Sequence, residues 1–131
     1  MLAYRNEAAF SKALVTAMRN KGWFIQRIES GQMGKGIPDV FTISPTRVPM
    51  WLELKREHCT CSGKHAIEVH WRPGQQAWLN DVWKRGMLTY TLACFDDGIL
   101  QIPHDRVYEQ NLVAAGWADT VFYKSIKELL S

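Results

Sequence analysis

Two stretches, Gly36-Ile37-Pro38-Asp39-Val40-Phe41-Thr42-Ile43 and Met50-Trp51-Leu52-Glu53-Leu54-Lys55, decide how this chain is read. Each contains a run of β-branched, aromatic and aliphatic residues, the composition of a strand. Between them Ser44-Pro45-Thr46-Arg47-Val48-Pro49 carries two prolines, which favour a turn. Side chains two apart on a strand share a face, so Glu53 and Lys55 point one way and Leu54 the other. If the two strands pair as a hairpin around Thr46, Asp39 falls opposite Glu53 with the Cβ atoms about 5 Å apart.

Two carboxylates so placed repel each other and lose hydration, and a divalent cation is the obvious compensation. Oxygen ligands suit a hard ion such as Mg²⁺, which binds through one or two carboxylates and leaves its other positions to water or phosphate oxygens. Lys55 would then stand where it can orient an attacking water or steady a pentavalent phosphate. A Glu-x-Lys pair taken alone also fits an ordinary surface hairpin with one ion pair. The rest of the chain has to discriminate between the two.

Upstream, Ala3, Glu7, Phe10, Leu14, Met18 and Lys21 recur at three- and four-residue steps, predicting a helix over 3–21 that Gly22 ends. Glu7 lies on the apolar stripe of that helix. It either projects into the same site or serves as a solvated charge at the helix end. Residues 23–28 read as a strand that leads into the glycine-rich loop Ser30-Gly31-Gln32-Met33-Gly34-Lys35-Gly36. Downstream, residues 58–70 read as polar and irregular. Pro73 opens a second helix with Trp78, Leu79, Val82 and Trp83 on its apolar face and Gly86 as its stop. A strand follows over 88–95, and a short one over 99–102 pairs with it across Asp96-Asp97-Gly98. Residues from about 104 to 131 read as peripheral helices. The expected fold is an α/β domain with a mixed β-sheet flanked by helices, in the order αβββαβ plus C-terminal helices.

With these elements in place, Gly36-Ile37-Pro38-Asp39 followed by Glu53-Leu54-Lys55 resembles the signature of the PD-(D/E)XK nuclease superfamily, including the hydrophobic residues around each half. Within it the chain is most similar to the stand-alone virus-type nucleases of the VRR-NUC group, which are related to archaeal Holliday-junction resolvases. The resemblance spans about residues 5 to 96 of a single nuclease domain over 1–131, leaving 97–131 as a C-terminal extension. It implies a restriction-endonuclease-like core.

By this resemblance Asp39 and Glu53 are metal ligands, the main-chain carbonyl of Leu54 is the third, and Lys55 is the catalytic lysine. Glu7 matches the acidic residue of the first helix, reaching the metal directly or through water. Ser30-Gly31 resembles the Ser-Gly found between the first two strands of the relatives. In the second helix the family pattern falls on Gln75, Trp78 and Leu79, with Gly86 as its closing glycine. Gln75 shares a stripe with Leu79 and Val82 and should face the sheet; Gln76 replaces it if the register is one residue off. The implied activity is Mg²⁺-dependent endonucleolytic hydrolysis of DNA, with Mn²⁺ able to substitute. The implied substrates are branched, flap or four-way junction DNA in replication, repair or recombination. A homodimer that cuts two strands together is the expected assembly.

The bulk composition fits such a protein. The 131 residues are 47% hydrophobic, enough for one packed core, and the net charge of +3 means that any nucleic-acid contact comes from a local patch. Lys35, Lys55, Arg56, Lys64 and Arg72 supply one around the expected site. Of six tryptophans, Trp71, between His70 and Arg72, is the candidate for stacking on a base. No apolar run is long enough for a membrane span, and three cysteines form no disulfide framework, so a soluble, cytoplasmic protein is expected.

Two other readings are weaker. His58, Cys59, Cys61 and His65 could make a four-ligand zinc site, but the Cys-x-Cys spacing is tight and no second cysteine pair follows, so a polar loop is the default. The glycine-rich loop lacks the Gly-Lys-Ser/Thr ending of a P-loop, which disfavours nucleotide hydrolysis. A catalytically inactive nucleic-acid-binding module of the same fold is the alternative function, against which the intact Asp39, Glu53 and Lys55 speak.

Overall fold

The computed structural model describes residues 4–28, 38–105, 112–114 and 120–131. They form α1 (Glu7–Asn20), β1 (Phe24–Arg27), β2 (Val40–Ile43), β3 (Pro49–Arg56), β4 (Ala66–Glu68), α2 (Gln75–Lys84), β5 (Leu88–Phe95), β6 (Gly98–Pro103), β7 (Leu112–Ala114), β8 (Val121–Tyr123) and α3 (Ile126–Leu129). Asn6 caps α1, its side chain accepting the Ala9 N–H at 2.8 Å. The helix ends at Gly22, whose φ of 89° turns the chain so that the Trp23 N–H donates back to the Met18 carbonyl at 3.0 Å.

Six strands make one sheet in the order β1-β2-β3-β5-β6-β8, and β4 pairs with β7 in a separate ribbon. The β3–β5 pair is parallel and is joined through α2; the other pairs are antiparallel. In the β2–β3 hairpin Val40 faces Leu52 and Thr42 faces Met50, which centres the turn on Thr46 as the sequence predicts. Alternation along β3 divides its side chains between two layers. Leu52 and Leu54 join Phe10, Leu14 and Met18 of α1 in one core, with Val40, Leu92, Ile99 and Ile126. On the opposite face Ala93, Phe95, Leu100 and Ile102 pack with Ile67, Val69 and Trp71. Above the same face lies α2, whose Trp78 meets Trp51 edge-on at 5.3 Å. This is the expected mixed sheet between helices.

Three details differ from the sequence reading. Residues 66–68 form β4 rather than irregular chain; the strict alternation Ile67, Val69, Trp71 of buried residues was a period-two signal among histidines and cysteines. The second helix starts at Gln75, two residues after Pro73, because Gly74 takes a left-handed φ of 88°. The described residues of the C-terminal region are not mainly helical. Among them β7 and β8 are strands, and only the four residues of α3 are helix. The reason is tertiary, since β6 offers a free edge on which Val121–Tyr123 pairs against Ile99–Gln101. Among the described residues no helix is long and apolar enough to cross a membrane.

The close approach of β8 to β6 depends on Gly98. A Cβ placed there would lie 2.2 Å from a ring carbon of Phe122 and 2.6 Å from the Tyr123 carbonyl oxygen, and the backbone oxygen cannot swing away. Gly98→Ala is expected to destabilise the protein by about 1–3 kcal/mol, measured as a lowered midpoint in chemical denaturation. An unchanged midpoint would show that β8 is not held against β6 in solution.

Candidate active site

The hairpin register builds the site. The ladder ends at the Val40–Leu52 pair; its register, continued outward, sets Asp39 opposite Glu53 and Pro38 opposite Leu54. The Ile28 N–H donates to the Asp39 carbonyl at 2.9 Å, which keeps the Asp39 backbone in the β1 ladder. Its side chain crosses to β3, where Oδ2 accepts the Leu54 N–H at 2.9 Å. The N–H and C=O of one strand residue face the same edge, so the Leu54 carbonyl also faces β2. Pro38 has no N–H to offer it. The end of β2 thus places two carboxylates and a main-chain carbonyl around one gap in the ladder.

Glu53 is fully buried. Its Oε2 accepts from Gln75 Nε2 at 2.9 Å and lies 3.3 Å from Lys55 Nζ. No hydrogen-bond donor meets Oε1, which is equally buried. Burial, then the charge of Asp39, push the Glu53 carboxyl up to about 8, with Lys55 opposing the shift. Lys55 is buried too, and its Nζ donates to Gln75 Oε1 at 2.9 Å. That same oxygen accepts the Arg72 N–H at 2.7 Å. Two donors on one oxygen fix which way the amide faces, so Gln75 must present Nε2 to Glu53. The left-handed Gly74 just before the helix lets the chain bring both Arg72 and Gln75 to this point.

Glu7 projects from the first turn of α1 into a surface pocket of about 260 Å³ shared with Ser11, Arg27, Asp39 and Leu54. Its carboxyl is raised by burial and by the neighbouring Asp39 charge, while Lys55 and Arg72 pull it down. Asp39, Glu53, Lys55, Gln75 and Glu7 are therefore brought together, and Gln76 is not needed in place of Gln75.

A buried carboxylate oxygen without a donor, facing a second carboxylate, is an arrangement a hard cation would satisfy. The donors present are those of a hard divalent ion: Asp39, Glu53 and the Leu54 carbonyl could hold it, with Glu7 at its margin. Among the described residues no three Asp, Glu, His or Cys side chains converge on one point. The set is thus an open carboxylate pair rather than a closed cage. It suits an ion that retains water.

Other sequence candidates are placed elsewhere. The Arg56 guanidinium is buried, donating to the main-chain carbonyls of Tyr4 and Cys94 and to Asp96 Oδ1 at 2.8 Å. It also donates to the Glu57 carbonyl. Trp71 is buried as well, its indole N–H bonded to Thr91 Oγ1 at 2.9 Å and its ring edge-on to His104. Neither presents a surface for DNA. Arg72 and Lys64 remain exposed. Ser30, Gly31 and Lys35 lie outside the described residues.

The segment 58–65 closes onto the β5–β6 turn, where the Cys61 and Ser62 N–H groups donate to the Asp97 carboxylate. Burial pushes the Cys61 thiol up to about 11, with the Asp97 charge adding to the shift.

One pair escaped the sequence reading. Glu57 continues the stripe of Glu53 and Lys55, is buried, and accepts both the main-chain N–H of His70 at 2.9 Å and its ring Nδ1 at 2.7 Å. The two-residue spacing Glu53, Lys55, Glu57 was the available signal.

No protein-family model matches the chain, and no curated protein matches it. Among solved structures, the Holliday junction resolvase Hjc of the archaeal hyperthermophile Archaeoglobus fulgidus aligns with a TM-score of 0.60 at 13% identity, over 82% of this chain and 88% of that one. A structure described as a VRR_NUC domain aligns with a TM-score of 0.51 at 19% identity, over 67% of this chain and 84% of that one. The chain shares the fold of these two structures.

The raised Glu53 carboxyl has a consequence for stability. The folded state holds that proton more tightly than the unfolded chain does, so the stabilisation is complete below the ordinary glutamate range and is lost as pH rises through about 8. In metal-free buffer the melting temperature should therefore fall between about pH 6 and about pH 9. Glu53→Gln should fall less over the same interval, and its difference from wild type isolates this group from His70. Superimposable pH profiles would show that Glu53 is not strained in the apo protein.

Proposed function

We propose that this chain is a divalent-metal-dependent endonuclease that hydrolyses the phosphodiester backbone of DNA, with branched DNA as its preferred substrate. The observation that carries the reading is Glu53: a buried carboxylate opposite Asp39, with one oxygen lacking a donor and the other tied to Lys55 and Gln75. Such a group is unfavourable for folding and is explained by a ligand it awaits. The likeness of the fold to a Holliday junction resolvase and to a VRR_NUC domain supports the same conclusion.

A divalent cation held by Asp39, Glu53 and the Leu54 carbonyl, with Mg²⁺ the expected ion and Mn²⁺ its substitute, would neutralise the scissile phosphate and lower the pKa of the attacking water. Lys55 acts from the other side. Its ammonium has three donors, and with one on Gln75 Oε1 and one toward Glu53 Oε2 it retains a third to direct at the attacking water or at a non-bridging phosphate oxygen. Gln75 is a positioning residue: by bonding Glu53 with its nitrogen and Lys55 with its oxygen it fixes both reactive groups at once. Glu7 adds negative charge at the margin and reaches the ion through water. Arg72, exposed next to Gln75, meets a backbone phosphate; Ser30, Gly31 and Lys35 are proposed as further DNA contacts from the sequence resemblance. Two copies of so small a domain would bring two sites to two strands.

Asp39→Asn keeps size and shape and removes the charge that attracts the cation. Cleavage of a four-way junction with Mg²⁺ should fall at least about a hundredfold, while gel-shift affinity in metal-free buffer stays equal or increases as repulsion of phosphate is relieved. Lys55→Ala should lose cleavage by a similar factor and still bind Mn²⁺ in calorimetry, where Asp39→Asn should not. Cleavage by Asp39→Asn near the wild-type rate would overturn the site assignment.

A further inference from the structure

Glu57 and His70 play no part in the chemistry described above, yet they continue its row of side chains. Glu53 and Lys55 lie two residues apart on one face of β3, and Glu57, the first residue past the strand, keeps its N–H on the Cys94 carbonyl at 2.8 Å, so Glu57 stands about 7 Å beyond Lys55. A buried carboxylate needs partners, and Glu57 takes both of its own from His70, the main-chain N–H and the ring Nδ1. The backbone bond alone would satisfy one oxygen. The imidazole, however, is 65% exposed, and an ion pair with so exposed a partner contributes little to stability. What the bond does achieve is to fix the ring's orientation, with Nε2 turned outward.

Beyond the ring lies a surface pocket of about 370 Å³ whose walls include Glu57, His58, Cys59, Lys64, Glu68 and His70. At its mouth the exposed Glu68 carboxylate sits 3.3 Å from His70 Nε2, a long contact made by a flexible side chain. An anionic oxygen thus already lies within ion-pair distance of the ring's outer nitrogen.

Resting on the nuclease reading, we propose that His70, gripped by Glu57, binds the backbone phosphate next to the one cleaved, and that Glu68 is the displaceable stand-in for that phosphate. The charged groups that face the ring are Glu57 and Glu68, with Lys55 acting from along β3 and His58, Cys59 and Lys64 from the pocket walls. The hydrogen bond and the charge of Glu57 raise the His70 pKa from its ordinary value, with burial and Lys55 opposing and Glu68 assisting. The ring therefore carries its positive charge toward neutral pH and loses it as pH rises through the raised value. The resulting surface runs from the catalytic pair to a second cationic contact along one strand of DNA.

The test uses the full chain in metal-free buffer, where nothing is cut, with a four-way junction and a linear duplex as probes. His70→Gln retains a hydrogen bond to Glu57 and lacks the charge. At about pH 6 it should bind about three- to tenfold more weakly than wild type, and its plot of log affinity against log salt should be shallower by about one phosphate contact. At about pH 9 the two affinities should converge, because the wild-type ring has lost its proton. Glu53 titrates in this interval too, but equally in both proteins. His70→Arg should restore the affinity and abolish the convergence, and Glu68→Gln should bind more tightly than wild type. If His70→Gln matches wild type in affinity, salt slope and pH profile while the wild type binds and cleaves DNA, the His70 assignment is overturned and the nuclease reading stands. If the wild type shows neither salt-dependent binding nor cleavage, both fall together.

Discussion

Three ionisable side chains, Glu53 and Lys55 on β3 and Glu57 just past its end, lie buried in a row, and the surrounding structure supplies a counter-group for each. Burying a charge is unfavourable by several kcal/mol unless it is paired and hydrogen-bonded. Gln75 reaches down from α2 to bond both Glu53 and Lys55, and His70 reaches in from the chain after β4 to bond Glu57. The crossover from β3 to β5 is thus positioned by polar contacts at its start, before Trp78 and Leu79 pack its apolar face. Within this row of side chains Glu53 Oε1 is left without a donor, and it marks the place where chemistry is expected.

The sheet separates stability from chemistry through the two faces of β3. Leu52 and Leu54 point toward α1 and help form a dense apolar core that ties the ladder together. The charged residues point the other way, under α2, where a second core of Ala93, Phe95, Leu100 and Ile102 begins one strand further on. A buried Trp71–Thr91–His104 network lies at the boundary, with burial pushing the His104 imidazole down to about 3 and so keeping it neutral. On this side the charged row borders neutral groups, whose low polarity raises the strength of each interaction within the row.

Termination of β2 is the second device. Asp39 is held in the β1 ladder by its carbonyl and turned toward β3 by its side chain, and Pro38 withdraws the N–H that would otherwise meet Leu54. A strand that continued regularly would close this gap with backbone hydrogen bonds. The proline interrupts the ladder where a ligand would need a free carbonyl, which gives a physical meaning to the Pro-Asp half of the motif.

The sequence by itself determined the order of the first elements, the hairpin centred on Thr46, and the meeting of Asp39 with Glu53 and Lys55, because these follow from local periodicity and a two-residue alternation. Glu7 and Gln75 were legible as inward-facing positions on helices for the same reason. Only the tertiary structure decided the fate of residues whose partners are distant in sequence. Arg56 looked like a free cation until Asp96, forty residues on, was found to hold it. Trp71 looked available for stacking until Thr91 and His104 enclosed it. The pairing of Glu57 with His70 requires a chain reversal that no local pattern specifies. The C-terminal strand β8 exists because β6 presents an open edge, and an edge belongs to a sheet rather than to any one segment.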